Sequence, residues 1–168
     1  MEHIIKSSEN KIVSDIRVLI EQSRQQVAAA VNTGMTLMYW HIGERINREV
    51  LGGERAAYGK QIVATISQQL TAEYGGSQFS VKNLNRMRLF AERFSDLSIW
   101  TPLVSKLSWS HFLQVISIED DLKRQFYLTM AADQRWSKRT LKSKIDGMLY
   151  ERTAIAKKPY EPTRQEAA

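Results

Sequence analysis

The chain has 168 residues and no cysteine, with 24 Lys/Arg against 18 Asp/Glu and a formal net charge of +6. That length buries one ordinary core or two small ones, too little for a large multidomain enzyme, and the lack of thiols excludes disulfide frameworks, thiolate metal sites and cysteine nucleophiles. The start, MEHIIKSSENK, lacks a basic segment followed by an apolar export core, and no apolar run nears the roughly 20 residues that cross a bilayer; a soluble cytoplasmic protein is expected.

The first element is helical. Ile12, Ile16, Leu19, Ile20, Val27, Val31, Met35, Met38, Ile42, Ile46 and Val50 recur at steps of three, four or seven, predicting one apolar, mostly core-facing stripe from about residue 11 to residue 50. Leu51-Gly52-Gly53 ends it. Unbroken, such a helix is a rod of about 60 Å; Gly34 offers a point at which it bends or turns into a helical hairpin. A rod of that length commonly lies against a second copy of itself, so residues 1–52 read as a scaffold or oligomerisation segment and a homodimer as a candidate partner.

A second helix is predicted over residues 58–74, with Ile62, Ile66 and Leu70 inward, and it ends at Tyr74-Gly75-Gly76. There follows a phrase that the chain states twice: QFSVKNLNRM from Gln78 and RWSKRTLKSK from Arg135. In each copy an aromatic residue precedes a serine and a leucine stands four places after it. Ser80 and Ser137 are suited to cap a helix, while Phe79 with Leu84, and Trp136 with Leu141, occupy the two positions of a hydrophobic staple. Between the copies, Trp100, Trp109 and Phe112 predict a small packed knot around LSWSHF. A helix is then expected over about 120–132, with Leu122, Phe126 and Met130 inward. The fold class is therefore all-α, with two helix-turn-helix-like units after the long first helix in a basic lobe over 53–156, and a linker or tail over 157–168.

Charge separates these regions. Residues 1–78 carry 8 Lys/Arg against 8 Asp/Glu, whereas residues 79–158 carry 15 against 8. The half with the repeated phrase is thus the half suited to a polyanion. At 100° per residue, Leu84, Met87, Phe90, Ala91 and Phe94 share one face of the first capped helix. Lys82, Asn85, Arg86, Leu89 and Arg93 lie opposite. Arg and Lys can contact phosphates or guanine edges, and Asn can pair with adenine, so Lys82, Asn85, Arg86 and Arg93 are the candidate DNA contacts. The second capped helix is more mixed. Leu141, Ile145, Met148 and Leu149 are expected inward, with Arg139 and Lys142 as secondary backbone contacts beside Asp146, whose charge opposes a phosphate.

LMYWHIGERI, YGKQIVATISQQL, FSVKNLNRMRLFAERF, LSWSHF, WSKRTLKSKIDGMLYERTA and KKP, in this order, together resemble the N-terminal domain of the bacterial YhcG-type nuclease family, over roughly residues 12–159. The resemblance implies an all-helical, helix-turn-helix-like module that targets or assembles a nuclease. It also implies that a PD-(D/E)xK nuclease domain using Mg²⁺ would follow the tail AIAKKPYEPTRQEAA.

Catalysis by this chain itself is not expected. Its two acid-x-Lys triplets, Glu9 to Lys11 and Asp121 to Lys123, are close to what chance supplies for 18 acids, and neither lies in a strand-like segment. Glu119, Asp120 and Asp121 suit the start of a helix. His3, His41 and His111 lack metal-pair spacing. GGERAAYGK departs twice from a phosphate-binding loop, with Glu54 where Gly is needed and Gln61 where Ser or Thr is. Tyr39 and Trp40 read as core or interface anchors before they read as a stacking platform. No catalytic residue, metal site, cofactor, membrane contact or small-molecule substrate is expected in this chain. The leading expectation is a DNA-binding module; the alternative is a protein-interaction or homo-oligomerisation module without nucleic-acid contact.

Overall fold

The computed structural model describes residues 1–51 and 56–157, and the described residues are all-α. The tail expected over 157–168 lies, beyond Lys157, outside the described residues, as do Gly52 and Gly53. In order come α1 (Glu2–Leu51), α2 (Ala56–Tyr74), α3 (Val81–Arg93), α4 (Leu97–Val104), α5 (Trp109–Val115), α6 (Asp121–Asp133), α7 (Lys138–Asp146) and α8 (Leu149–Lys157). The chain divides into two compact units, Met1–Trp109 and Ser110–Ala168. No described helix is long and apolar enough to cross a membrane.

In the first unit, α1 is one continuous helix of 50 residues, about 75 Å long. Gly34 neither breaks it nor turns it into a hairpin, because one helical glycine costs only about 1 kcal/mol; a Cβ at that position would meet nothing within 4 Å. The C-terminal part of α1 packs on α3. There Tyr39, Ile46, Val63, Phe79, Leu84 and Met87 form the core, flanked by the partly buried Ile42, Val50, Ile66, Leu70 and Trp109. Gly43 permits the approach: a Cβ at that position would overlap the Met87 carbonyl on α3. Asn47 locks the same crossing, since its Nδ2 donates to the Arg88 carbonyl at 2.9 Å and its Oδ1 accepts from Arg88 Nε at 3.0 Å.

The stripe expected on α1 does not face the core over most of its length. Ile12, Ile16, Leu19, Ile20, Val27, Val31, Met35 and Met38 are exposed, and the helix buries Thr36, Tyr39, Gly43 and Ile46 instead. Steps that average above 3.6 residues carry the apolar stripe around the helix, so its two ends cannot face one core. The core face of α2 includes the buried Val63, with Ile62, Ile66 and Leu70 half-buried around it.

Aromatic rings complete the unit. Trp109 lies 4.9 Å from Tyr39 and 5.0 Å from Phe90, and Trp100 lies 4.6 Å from Phe94. Tyr39 and Trp40 are anchors, as expected: the Tyr39 hydroxyl accepts from Gln78 Nε2 at 2.9 Å, and Trp40 Nε1 donates to the Phe94 carbonyl at 2.8 Å.

In the second unit, Phe112, Val115, Tyr127, Leu128, Ala131 and Leu141 are buried. Asp120 caps α6, accepting from Leu122 N and Lys123 N at 2.9 and 3.2 Å. The predicted inward set of α6 is shifted in phase. Leu122 is 70% exposed, while Arg124, Tyr127, Leu128 and Ala131 are buried. Arg124 takes an inward position because its guanidinium donates to the Ile118 carbonyl and to Asp121, which apolar counting cannot anticipate. Tyr127 is satisfied through its hydroxyl, which accepts from Tyr150 N at 3.0 Å. Met148 is likewise exposed rather than inward: α7 ends at Asp146, and Met148 adopts a positive φ of 56° before α8 begins. Lys123 Nζ and Glu151 join α6 to α8 at 2.5 Å.

Candidate nucleic-acid interface

Both copies of the repeated phrase build the same local structure. Ser80 Oγ accepts from Asn83 N at 3.2 Å and caps α3; Ser137 Oγ accepts from Thr140 N at 3.1 Å and caps α7. Each cap satisfies one of the backbone donors that a helix start leaves orphaned. Phe79 and Leu84 are both buried in the first copy, and Leu141 is buried with Trp136 half-buried in the second. A short turn precedes each: Gly75 and Gly76 take positive φ before α3, and Arg135 takes a φ of 54° before α7.

The inward face of α3 is the predicted one. Leu84, Met87, Phe90, Ala91 and Phe94 are all buried, so the opposite face is turned outward. On it, Lys82 and Asn85 are exposed and Arg86 and Arg93 half-buried. From Lys82 to Arg93 the face runs about 16 Å, longer than the roughly 12 Å width of a major groove. Arg86 Nη1 donates to Asn83 Oδ1 at 3.3 Å, which steadies the guanidinium near the helix start. No ion pair among the described residues takes Lys82 or Arg86.

Two residues near this face escaped the sequence reading. Arg88 is half-buried between the two helices, and besides its bond to Asn47 its Nη1 lies 3.5 Å from Asn85 Oδ1. Nothing in the sequence links Asn47 to Arg88, 41 residues apart. Glu92 is exposed seven residues after Asn85 and hence on the same ridge, so the flank of the face carries one carboxylate. That signal was legible from helical spacing.

Arg139 and Lys142, the other two candidates, stand exposed on α7 in the second unit. Lys142 Nζ pairs with Asp146 at 2.7 Å, and Lys144 Nζ lies 5.6 Å from the centre of the Trp136 ring. Both interactions are at the surface, where they are weak enough for a phosphate to displace. The first unit thus gathers Lys82, Asn85, Arg86 and Arg93 on one helix, and the second holds Arg139 and Lys142 on another.

The described residues offer no cradle for a nuclease metal. The Glu9–Lys11 triplet lies on the exposed part of α1, and the second triplet is committed elsewhere, Asp121 to Arg124 and Lys123 to Glu151. His111 Nε2 lies 2.7 Å from the Trp136 carbonyl, a structural bond within the second unit.

Residues 15–152 match the family described as the DUF1016 N-terminal domain. The chain belongs to that family. It is similar to the Escherichia coli (strain K12) protein named "Putative nuclease YhcG", with 31% identity over an alignment of 168 positions that takes in 82% of this chain and 44% of that protein. The chain therefore spans less than half the length of this curated relative. No solved structure matches it.

Proposed function

We propose that this DUF1016 N-terminal domain is a DNA-binding module that directs a nuclease to its substrate and does not itself cut. The observation that carries the reading is the outward face of α3, which presents Lys82, Asn85, Arg86 and Arg93 from a helix held rigidly by five buried residues. A helix entering a major groove needs that division: one face fixed in a core, the other offering cations to phosphates and donors to base edges. The excess of 15 Lys/Arg over 8 Asp/Glu in residues 79–158 supplies the long-range attraction, and the name of the Escherichia coli relative supplies the chemical context. Arg139 and Lys142 act as secondary backbone contacts in this reading. Mg²⁺ and cleavage belong, in this reading, to a nuclease domain outside this module, and the module works in the cytoplasm.

The test is binding of the full chain to labelled duplex DNA, followed by fluorescence anisotropy. Replacing Lys82, Arg86 and Arg93 together by Ala should abolish binding at physiological salt while circular dichroism keeps its helical signal. A triple variant that binds as tightly as the parent overturns the assignment. Competition by structured RNA at lower concentration than duplex DNA would redirect it to RNA, and cleavage of DNA by this chain with Mg²⁺ would overturn its non-catalytic role.

A further inference from the structure

Every residue from 1 to 32 is exposed, yet this segment carries a stripe of aliphatic side chains: Ile12, Ile16, Leu19, Ile20, Val27 and Val31. The stripe is not an overhang of the core face. At 100° per residue it lies about 150° around the helix from Thr36, Tyr39, Gly43 and Ile46, the residues that α1 buries. Where the two faces run side by side, Met38 stays exposed next to the buried Tyr39. The helix therefore has two apolar faces, and the first unit uses one.

We propose that the second face is the pairing surface for another copy of this chain, joined helix to helix along residues 5–38. Three observations favour that occupant. An isolated helix of this composition is marginal in water, since most helical stability comes from packing an amphipathic face. The surface is also large enough: an aliphatic side chain has on the order of 100 Å² of apolar surface, and about ten on this face are half-exposed. Pairing two copies buries roughly 1,000 Å², the level at which specific interfaces begin.

Charge selects the partner. The eight charged residues between Glu2 and Arg24 alternate strictly in sign, beginning Glu2, Lys6, Glu9 and ending Glu21, Arg24. A helix that lies on anionic lipid or on nucleic acid is enriched in Lys and Arg on its polar side. A neutral, alternating pattern complements another helix of mixed charge, and a second copy supplies it automatically. The pairing is independent of DNA binding, because none of the candidate DNA contacts lies on this segment.

Sedimentation equilibrium of the full chain without DNA tests the proposal. The parent chain should have twice the mass of one chain at tens of micromolar. Ile16→Asp combined with Ile20→Asp, and separately Val27→Asp, should each reduce it to one chain. Ser14→Asp with Gln25→Asp, on the opposite side of the helix, should leave the doubled mass unchanged. These positions are all exposed, outside the core of the first unit, so the thermal melt of that unit monitors folding independently. A parent chain with the mass of one copy overturns the proposal, as does a doubled mass that survives both stripe variants. A single-copy parent that co-sediments with phosphatidylcholine–phosphatidylglycerol vesicles would assign the stripe to lipid and overturn it equally.

Discussion

The helices α3 and α7 begin identically and then diverge. Each has a serine cap and an aromatic residue before it, with a fully buried leucine at the fourth helical position. Beyond that point α3 sends Met87, Phe90, Ala91 and Phe94 into a core, whereas α7 buries Leu141 alone and ends after nine residues. The outward cations differ in the same way. Lys82 and Arg86 are in no described ion pair, while Lys142 is held by Asp146 and Lys144 lies near Trp136. A repeated phrase thus fixes how a helix starts and leaves its later use to the residues that follow. The rigid, longer copy is suited to carry an interface, and the short copy to support one.

Substitutions in the two helices should separate them. The largest effect is expected at Phe90: Phe90→Ala should destabilise the first unit by about 3–5 kcal/mol, read as a lower urea midpoint at unchanged slope. Ile145→Ala on α7, where the side chain is only half-buried, should cost distinctly less. Equal losses would mean that α7 is as deeply invested as α3. Next comes Gly43→Ala, which forces a methyl into the Met87 carbonyl and should cost about 1–3 kcal/mol by moving α1 off α3.

Ser80→Ala and Ser137→Ala should each cost about 1 kcal/mol. Their similarity is the point, since the two caps make the same bond at 3.2 and 3.1 Å. Thermal melts in which one cap costs several times the other would deny that the phrase is one device used twice.

The smallest effect concerns pH. The hydrogen bond from Lys123 holds the Glu151 carboxyl below its ordinary value of 4.5, and the same bond raises Lys123 above 10.5. A depressed carboxylate contributes stability above its unfolded value and loses it as pH falls through the folded one; a raised lysine contributes below its unfolded value and loses it as pH rises through the folded one. The bridge should therefore add a small increment between about pH 4.5 and 10.5, declining outside that window. Glu151→Gln should remove the increment; an unchanged acid limb in a pH series of melts would contradict it.

Much of this architecture was legible in the sequence because it rests on local rules. Caps and staples need only residues three to five apart, and the inward face of α3 follows from a period of 3.6 with large apolar side chains in phase. The stripe of α1 showed the limit of the same reasoning. Periodicity reveals that a face is apolar but not whether the chain itself covers it, and only the described fold separates the face that holds Tyr39 from the one that holds Ile16. In α6 the apolar count failed because Arg124, a charged residue, turns inward to satisfy the Ile118 carbonyl. Lys82, Asn85, Arg86 and Arg93, named as candidate contacts from the helical period, lie opposite the buried face of α3. The Asn47–Arg88 lock beside them depends on two helices meeting, which no local pattern encodes.

The central claim is that α3, more than α7, faces DNA. The most direct measurement is the slope of log binding constant against log salt for the parent chain, for Lys82, Arg86 and Arg93 changed together to Ala, and for Arg139 and Lys142 changed together to Ala. Each phosphate contact contributes about 0.9 to that slope. The α3 triple variant should flatten it by about 2.7, and the α7 pair by less than about 1.8. A parental slope retained in the triple variant, or a larger loss in the α7 pair, would contradict that claim.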